Sequence, residues 1–194
     1  MDLSIKELTP ALWKDLETLF GEKGACGGCW CMYWRTLQGE KWKGVQGLDA
    51  KKRFKKMIQN GSARGLIAYA GGEPVGWCTF GKRTDFPRLN RARTLTCADA
   101  DEVCCVPCFY VKTGYRRKGV STELLRAAVH RLASEGATNI EGYPVKPATS
   151  GKNIPGAFAW TGTVPLFEKQ GFELVGNPLT AKLRYRKSLQ RRNA

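Results

Sequence analysis

The chain has 194 residues, 42% of them hydrophobic, which is enough to bury a core in one domain and too many for a disordered chain. Thirty-two Lys and Arg against 17 Asp and Glu give a net charge of +15, so anionic partners are favoured. Eight cysteines are too sparse for a disulfide-built scaffold, and a single histidine, His130, excludes most histidine triads and histidine-rich metal sites.

Leu3, Ile5 and Leu8, separated by polar residues, predict an opening strand, and Thr9-Pro10 starts a helix that carries Leu12, Leu16, Leu19 and Phe20 up to Gly21. Asp2 and Lys6 interrupt the apolar stretch a secretory leader needs, and reduced thiols suit the cytosol, so a cytoplasmic protein is expected. From Gly24 to Gly47 the chain is rich in glycine, cysteine and tryptophan, a composition of loops. Asp49 is expected to cap a second helix bearing Phe54, Met57 and Ile58, with a very basic opposite face. The period then changes to two: Leu66 to Ala70, a Gly71-Gly72-Glu73-Pro74 turn, and Val75 to Phe80 predict a hairpin. After a polar, Arg-rich excursion, Val103 to Val111 is nearly continuous in apolar residues, the mark of a strand buried on both faces. That run is too short to cross a bilayer, and no membrane partner is expected. A helix from Val120 to Glu135 and a strand from Asn139 to Tyr143 complete a βαβ crossover, which requires the two strands to be parallel. A Pro- and Gly-rich stretch, a short helix from Val164 to Gln170, and closing strands at Phe172 to Val175 and Leu183 to Tyr185 follow.

Lys112-Thr113-Gly114-Tyr115-Arg116-Arg117-Lys118-Gly119-Val120-Ser121 joins the buried strand to the start of an amphipathic helix. Unpaired amides and the helix dipole make such a junction an anion site, reinforced here by three consecutive cations. Gly114, Gly119 and Ser121 fit part of a nucleotide-triphosphate loop, but Val120 stands where that loop needs its lysine.

Arg116-Arg117-Lys118-Gly119-Val120-Ser121 resembles the Q/R-x-x-G-x-G/A pyrophosphate motif of the GCN5-related N-acetyltransferases (GNAT), with Ser121 as the final small residue. Leu166-Phe167-Glu168-Lys169-Gln170-Gly171-Phe172 is similar to the second signature of that family, and the order of elements agrees over nearly the whole chain. The resemblance implies an α/β fold with a mixed, mostly antiparallel central sheet, helices on its faces and a parallel strand pair splayed at an acyl-CoA cleft. It implies one N-acyltransferase domain over residues 1–187, followed by a basic tail over 188–194. Acetyl-CoA, or another acyl-CoA, would be the donor, an amine of a small molecule, peptide or protein the acceptor, with no metal required. The pyrophosphate would sit at Arg116, Arg117, Lys118, Gly119, Val120 and Ser121, and the pantetheine would lie along Phe109 and Val111. A strand N–H near Phe109 would polarise the thioester carbonyl.

Amide formation needs a route for the ammonium proton and a donor to the departing thiolate. Phe167 stands where the family often has a tyrosine donor, which leaves Tyr143, then Tyr110 or Tyr115, as replacements. Glu102 and Glu141 are the candidate bases, acting through water. Each has a plainer role available, Glu102 at a solvated strand entrance and Glu141 paired with an arginine. Trp30, Tyr33, Trp34 and Arg35 are the expected acceptor wall, against the alternative of a small satellite core. Cys26-x-x-Cys29 and Cys105-x-x-Cys108 have zinc spacing, but residues 105 and 108 face opposite sides of a regular strand and would need a bulge to share an ion. Outside catalysis, the basic clusters admit a nucleic-acid-binding module, and a CoA-binding protein that has lost its chemistry is also open; either a monomer or a homodimer is compatible.

Overall fold

The strands are β1 (Ser4–Glu7), β2 (Arg64–Ala70), β3 (Glu73–Lys82), β4 (Cys104–Val111), β5 (Asn139–Gly142), β6 (Glu173–Leu174) and β7 (Tyr185–Ser188), and they form one sheet in the order β1-β2-β3-β4-β5-β7-β6. The computed structural model describes residues 1–147 and 158–189. Every neighbouring pair is antiparallel except β4 and β5, which are parallel, as the crossover requires. The helices are α1 (Trp13–Phe20), α2 (Trp42–Val45), α3 (Leu48–Gln59), α4 (Pro87–Arg91), α5 (Val120–Ser134) and α6 (Val164–Glu168).

Alternation along the strands divides the core in two. Ile67, Tyr69, Trp77, Cys105 and Cys108 face Trp13, Leu16 and Phe20 of α1 and Phe54 of α3. Leu66, Ala68, Cys78, Phe80, Val106 and Phe109 face Val120, Leu124, Leu125, Ala128 and Leu132 of α5, an apolar stripe at helical spacing. Cys105 and Cys108 share a face because β4 carries a bulge: Thr79 pairs with Cys108 and Gly81 with Cys105, so three steps on β4 match two on β3. The parity rule therefore does not separate these two thiols.

The parallel pairing of β4 with β5 is limited to Cys104 with Ile140 and Cys105 with Glu141. From Val106 to Val111 β4 runs on without β5, and a cleft opens between them. Phe109 bridges part of it by donating its N–H to the Trp160 carbonyl at 2.7 Å.

Several boundaries differ from expectation. Gly47, not Asp49, precedes α3; Asp49 lies in its first turn, where its charge favours the helix dipole. The hairpin turns at Gly71-Gly72, since Glu73 and Pro74 already belong to β3. β7 begins at Tyr185, because Lys182 bridges to Val145 and Leu183 donates to the Pro144 carbonyl, ahead of the regular ladder. Of the tail expected over 188–194, Ser188 closes β7 and Leu189 donates to the Thr138 carbonyl; residues 190–194 lie outside the described residues, as do 148–157 of the Pro- and Gly-rich stretch.

At the cleft end of β5, a Cβ on Gly142 would lie 2.0 Å from Cε1 of the buried Phe167. Gly142→Ala is expected to lower stability by about 1–3 kcal/mol through overpacking, read from urea melts; an unchanged midpoint would mean Phe167 can move aside freely.

Candidate functional site

The junction after β4 is built from both ends. Lys112 donates its backbone N–H to the Val75 carbonyl at 2.9 Å, and Glu73 accepts from the Lys112 ammonium and, at 2.8 Å, from the Tyr115 hydroxyl. A turn at Thr113–Tyr115 follows, and then Gly119, at φ +85°, caps α5 by accepting from the amides of Thr122 and Glu123 at 3.0 and 3.1 Å. That φ lies in the left-handed region and nothing stands within 4 Å of where a Cβ would be, so glycine is demanded here by conformation rather than crowding. The amides of residues 117–121 make no hydrogen bond to other described residues. They face the mouth of a cavity of about 540 Å³ between the β4 end and the 159–169 segment, lined by Phe109, Tyr110, Val111, Arg116, Arg117, Gly119, Val120 and Ser121. Unpaired amides at a helix start beside two guanidinium groups form an anion cradle. Lys118 is not on its wall; its ammonium lies 5.6 Å from the Tyr115 ring centroid.

A second, smaller cavity of about 270 Å³ adjoins the first through Ala25, Cys26, Phe109, Tyr110 and Trp160. Its wall carries Cys29, Cys31, Cys108, Tyr33 and Trp42 and no charged side chain. A third, of about 620 Å³, lies beyond Tyr33 and Trp34 and is lined by Arg88, Arg91, Lys182 and Glu40 among others. Glu40 is taken up by Arg53 at 2.8 Å and the Leu37 amide at 2.6 Å, which hold its carboxyl below the usual range.

The expected acceptor wall separates into two kinds of residue. Tyr33 lines the second and third cavities and Trp34 the third, with the Trp34 indole N–H donating to the Pro107 carbonyl at 3.2 Å. Trp30 and Arg35 are core residues instead. Trp30 stacks on Trp13 with centroids 5.9 Å apart, and Arg35 lies over Phe86 while donating to the Asp85 carbonyl and Thr79 hydroxyl at 3.1 and 3.3 Å. The wide loop is thus pinned by its own aromatic and cationic side chains, which leaves few of them to face a ligand.

The structure moves the three expected catalytic residues away from the cleft. Glu141 is fully buried and accepts from Arg83 at 2.8 Å, Arg184 at 2.8 Å, Arg186 at 2.8 and 3.1 Å, and the Tyr143 hydroxyl at 3.0 Å. A carboxylate so committed has no lone pair turned to a substrate. Tyr143 is buried beside it, and burial, followed by the neighbouring Cys105 and Glu141, pushes its hydroxyl well above the ordinary value. Glu102 sits exposed in the turn before β4, at the strand end opposite the cradle. None of the three lines a cavity described above. Their network is structural: Arg83 also reaches the Leu95 carbonyl and the Asn90 side chain, tying the 83–95 excursion to β5 and β7. Sequence reading missed Glu73, Pro107 and Trp160, whose roles depend on partners distant along the chain. Among the described residues no group of three or more His, Cys, Asp or Glu is arranged to hold a metal, and no helix is long and apolar enough to cross a membrane.

Residues 31–148 match the family model described as "Acetyltransferase (GNAT) family". No curated protein matches the chain. Among solved structures, an N-acetyltransferase from Staphylococcus aureus Mu50 is similar at 13% identity and TM-score 0.59, covering 98% of this chain and 100% of that one. PaiA N-acetyltransferase from Thermoplasma acidophilum, in complex with coenzyme A, is similar at 15% identity and TM-score 0.55, over 97% and 100% of the two chains. A GCN5-related N-acetyltransferase from Kribbella flavida is similar at 18% identity and TM-score 0.57, over 96% and 98%.

The outer edge of the arginine network titrates. Hydrogen bonds from Arg186 hold the Asp99 carboxyl down at about 2, against an ordinary 3.8. Because the folded value is the lower one, this contribution is complete above about pH 4 and fades as the pH falls toward 2. Asp99→Asn is expected to lower stability at pH 6 and to converge on the wild type toward pH 2, as read from urea midpoints; a gap independent of pH would contradict this.

Proposed function

The chain belongs to the acetyltransferase (GNAT) family, and from that membership we infer that it is an acetyl-CoA-dependent N-acetyltransferase whose donor occupies the cleft between β4 and β5. The observation that carries the placement of the donor is the cradle: unbonded amides at residues 117–121, at the start of α5 and beside Arg116 and Arg117, open onto a cavity of about 540 Å³. A diphosphate fits that cradle by charge and by donor supply. Val111 and Phe109 then border the path of the pantetheine, and the Phe109 N–H, now on the Trp160 carbonyl, is the donor that a thioester carbonyl would compete for.

The acceptor end is the cavity of about 270 Å³, where Tyr33, Tyr110 and Trp160 face the junction with the donor cleft. An amine entering it meets aromatic faces and thiols and no carboxylate, so recognition there rests on shape and ring contact. Proximity and loss of water supply a large part of the rate in such a site. Acetyl-CoA and reduced thiols both suit the cytoplasm, the compartment we assign.

Arg53, Arg64, Arg83, Arg184 and Arg186 are paired with carboxylates, which withdraws these five of the 32 basic side chains from any surface that could grip nucleic acid.

Acetyl-CoA is expected to raise the melting temperature, and Gly119→Glu, which puts a side chain and a negative charge into the cradle at a left-handed position, to abolish that rise. Release of free CoA thiol is then expected with at least one class in an amine panel of polyamines, aminoglycosides, amino acids and peptides. No thermal shift at millimolar acetyl-CoA would overturn the donor assignment; a shift with flat release throughout would leave a CoA-binding protein without transfer.

A further inference from the structure

The cavity of about 620 Å³ beyond Tyr33 and Trp34 shares no lining residue with the donor cavity, and its wall gathers positive charge: Arg88, Arg91 and Lys182, against one acid, Glu40. Glu40 is held by Arg53 at 2.8 Å and the Leu37 amide at 2.6 Å, with a smaller pull from Arg91. None of the three cations forms an ion pair among the described residues, whereas Arg53, Arg64, Arg83, Arg184 and Arg186 all do. Neutral groups hold them instead. Thr36, fully buried, accepts from Arg88 through its hydroxyl at 3.3 Å and from Arg91 through its carbonyl at 2.5 Å. Lys182 donates to the buried Thr161 hydroxyl at 3.2 Å. Arg88 and Arg91 stand three apart on α4, a spacing at which like charges repel. Three cations fixed around one space, with no acid of the protein paired to them, form a seat for an anion.

Two rings tie this seat to the acceptor end. The Arg88 guanidinium lies 4.1 Å from the Tyr33 ring centroid and the Lys182 ammonium 4.6 Å from that of Trp160, and both rings also line the cavity of about 270 Å³. The rings meet edge-on with centroids 5.1 Å apart, and Tyr33 borders both cavities. We propose that the acceptor carries an anionic group, phosphate or carboxylate, which this cavity binds on Arg88, Arg91 and Lys182 while the amine reaches the small cavity past Tyr33. The proposal rests on the acyltransferase reading above and narrows its acceptor to acidic amines. A guanidinium fork takes two oxygens of a phosphate or carboxylate side by side, and an ammonium adds a point charge. The small cavity by itself offers an amine only shape and ring contact; charge at the far end of the molecule fixes which way it lies, and so aims the nitrogen at the thioester. A polyamine is disfavoured for the same reason, since its second ammonium would enter a space walled by three cations.

The first arm of the test needs no turnover. With CoA at millimolar concentration to occupy the donor cleft, the full chain is melted in sodium phosphate and in sodium chloride of equal ionic strength. Phosphate is expected to raise the melting temperature beyond chloride, and Arg91→Gln and Lys182→Met each to weaken the apparent phosphate affinity by about 10-fold or more. Arg91 is exposed, and Lys182→Met keeps an unbranched chain on the Trp160 ring, so both variants are expected to fold. Lys52→Gln, which removes an exposed cation of α3, is expected to change nothing. The second arm follows release of CoA thiol with matched pairs: ethanolamine and O-phosphoethanolamine, glutamine and glutamate, and a short peptide as its C-terminal amide and as its free acid. In at least one pair the acidic member is expected to have the higher kcat/KM, by about 10-fold or more, and Arg91→Gln to narrow that gap; the pair that responds tells phosphate from carboxylate. No rise over chloride, a rise that Arg91→Gln and Lys182→Met both retain, or no acidic member ahead of its neutral partner would overturn the proposal. Release that favours the neutral members would do so and leave the acetyltransferase reading standing; absence of any acetyl-CoA thermal shift would remove that reading and the acceptor role with it.

Discussion

Pro107 sits in the middle of a central strand and has no N–H to give to a neighbour. The surrounding geometry follows from that. Register between β3 and β4 shifts between Thr79 and Gly81, opposite this stretch, and the last pairing of β4 with β5 is at Cys105. The Pro107 carbonyl is taken by the Trp34 indole, which anchors the long loop against the sheet where the ladder is interrupted. A bulge re-aims side chains as well as bending the strand. Here it brings Cys108 to the same face as Cys105 and sets it, with Tyr110, at the junction of two cavities. Cleft and pocket thus both border the irregularity that β4 carries at this point.

The defect is held open by electrostatics from the other side. Arg83 and Glu141 are both fully buried, and removing either alone would strand an uncompensated charge at a cost of about 3–5 kcal/mol. Such a pair is weak evidence for net stability, because desolvation consumes much of its attraction. Its geometric effect is clearer. Glu141 gathers guanidinium groups from the 83–95 excursion and from β7, so β5 is fixed at the point where it parts from β4. Aromatic packing does the corresponding work beyond that point: Phe167 fills the space over Gly142 and meets Phe109 and Phe172 edge-on. The residue type that would have offered a phenol at this position is here a packing element.

What could be read from the residues alone is local. The βαβ crossover, the glycine at the start of α5 and the amphipathic stripes all depend on spacing within a few turns of chain, and they stand where spacing puts them. The failures concern long-range partners. Glu141 could be read either as a base or as the partner of an arginine, and only the folding of Arg184 and Arg186, more than forty positions away, onto it decides for the second. Trp30 and Tyr33 are indistinguishable as loop aromatics, yet one stacks into the core on Trp13 and the other lines two cavities. The alternation rule for Cys105 and Cys108 is sound for a regular strand, and Pro107 was the visible sign that this strand is not regular. α2 and α4 span only one turn or so, too little for periodicity to register.

The electrostatics at the acceptor end bear on the chemistry an acyl acceptor must undergo. No carboxylate lines the donor cavity or the small cavity joined to it, whereas Arg116, Arg117 and Lys169 line the former and Lys182 is held over the Trp160 ring nearby. An ammonium ion moving into this region loses water and approaches positive charge, and both effects favour its neutral form. Lys182 itself shows the tendency: burial lowers its pKa, only partly offset by Cys108. In the acceptor site proposed above, such a field would do part of a general base's work by favouring the deprotonated amine before any bond forms. That division of labour leaves only the proton released during bond formation to be carried away.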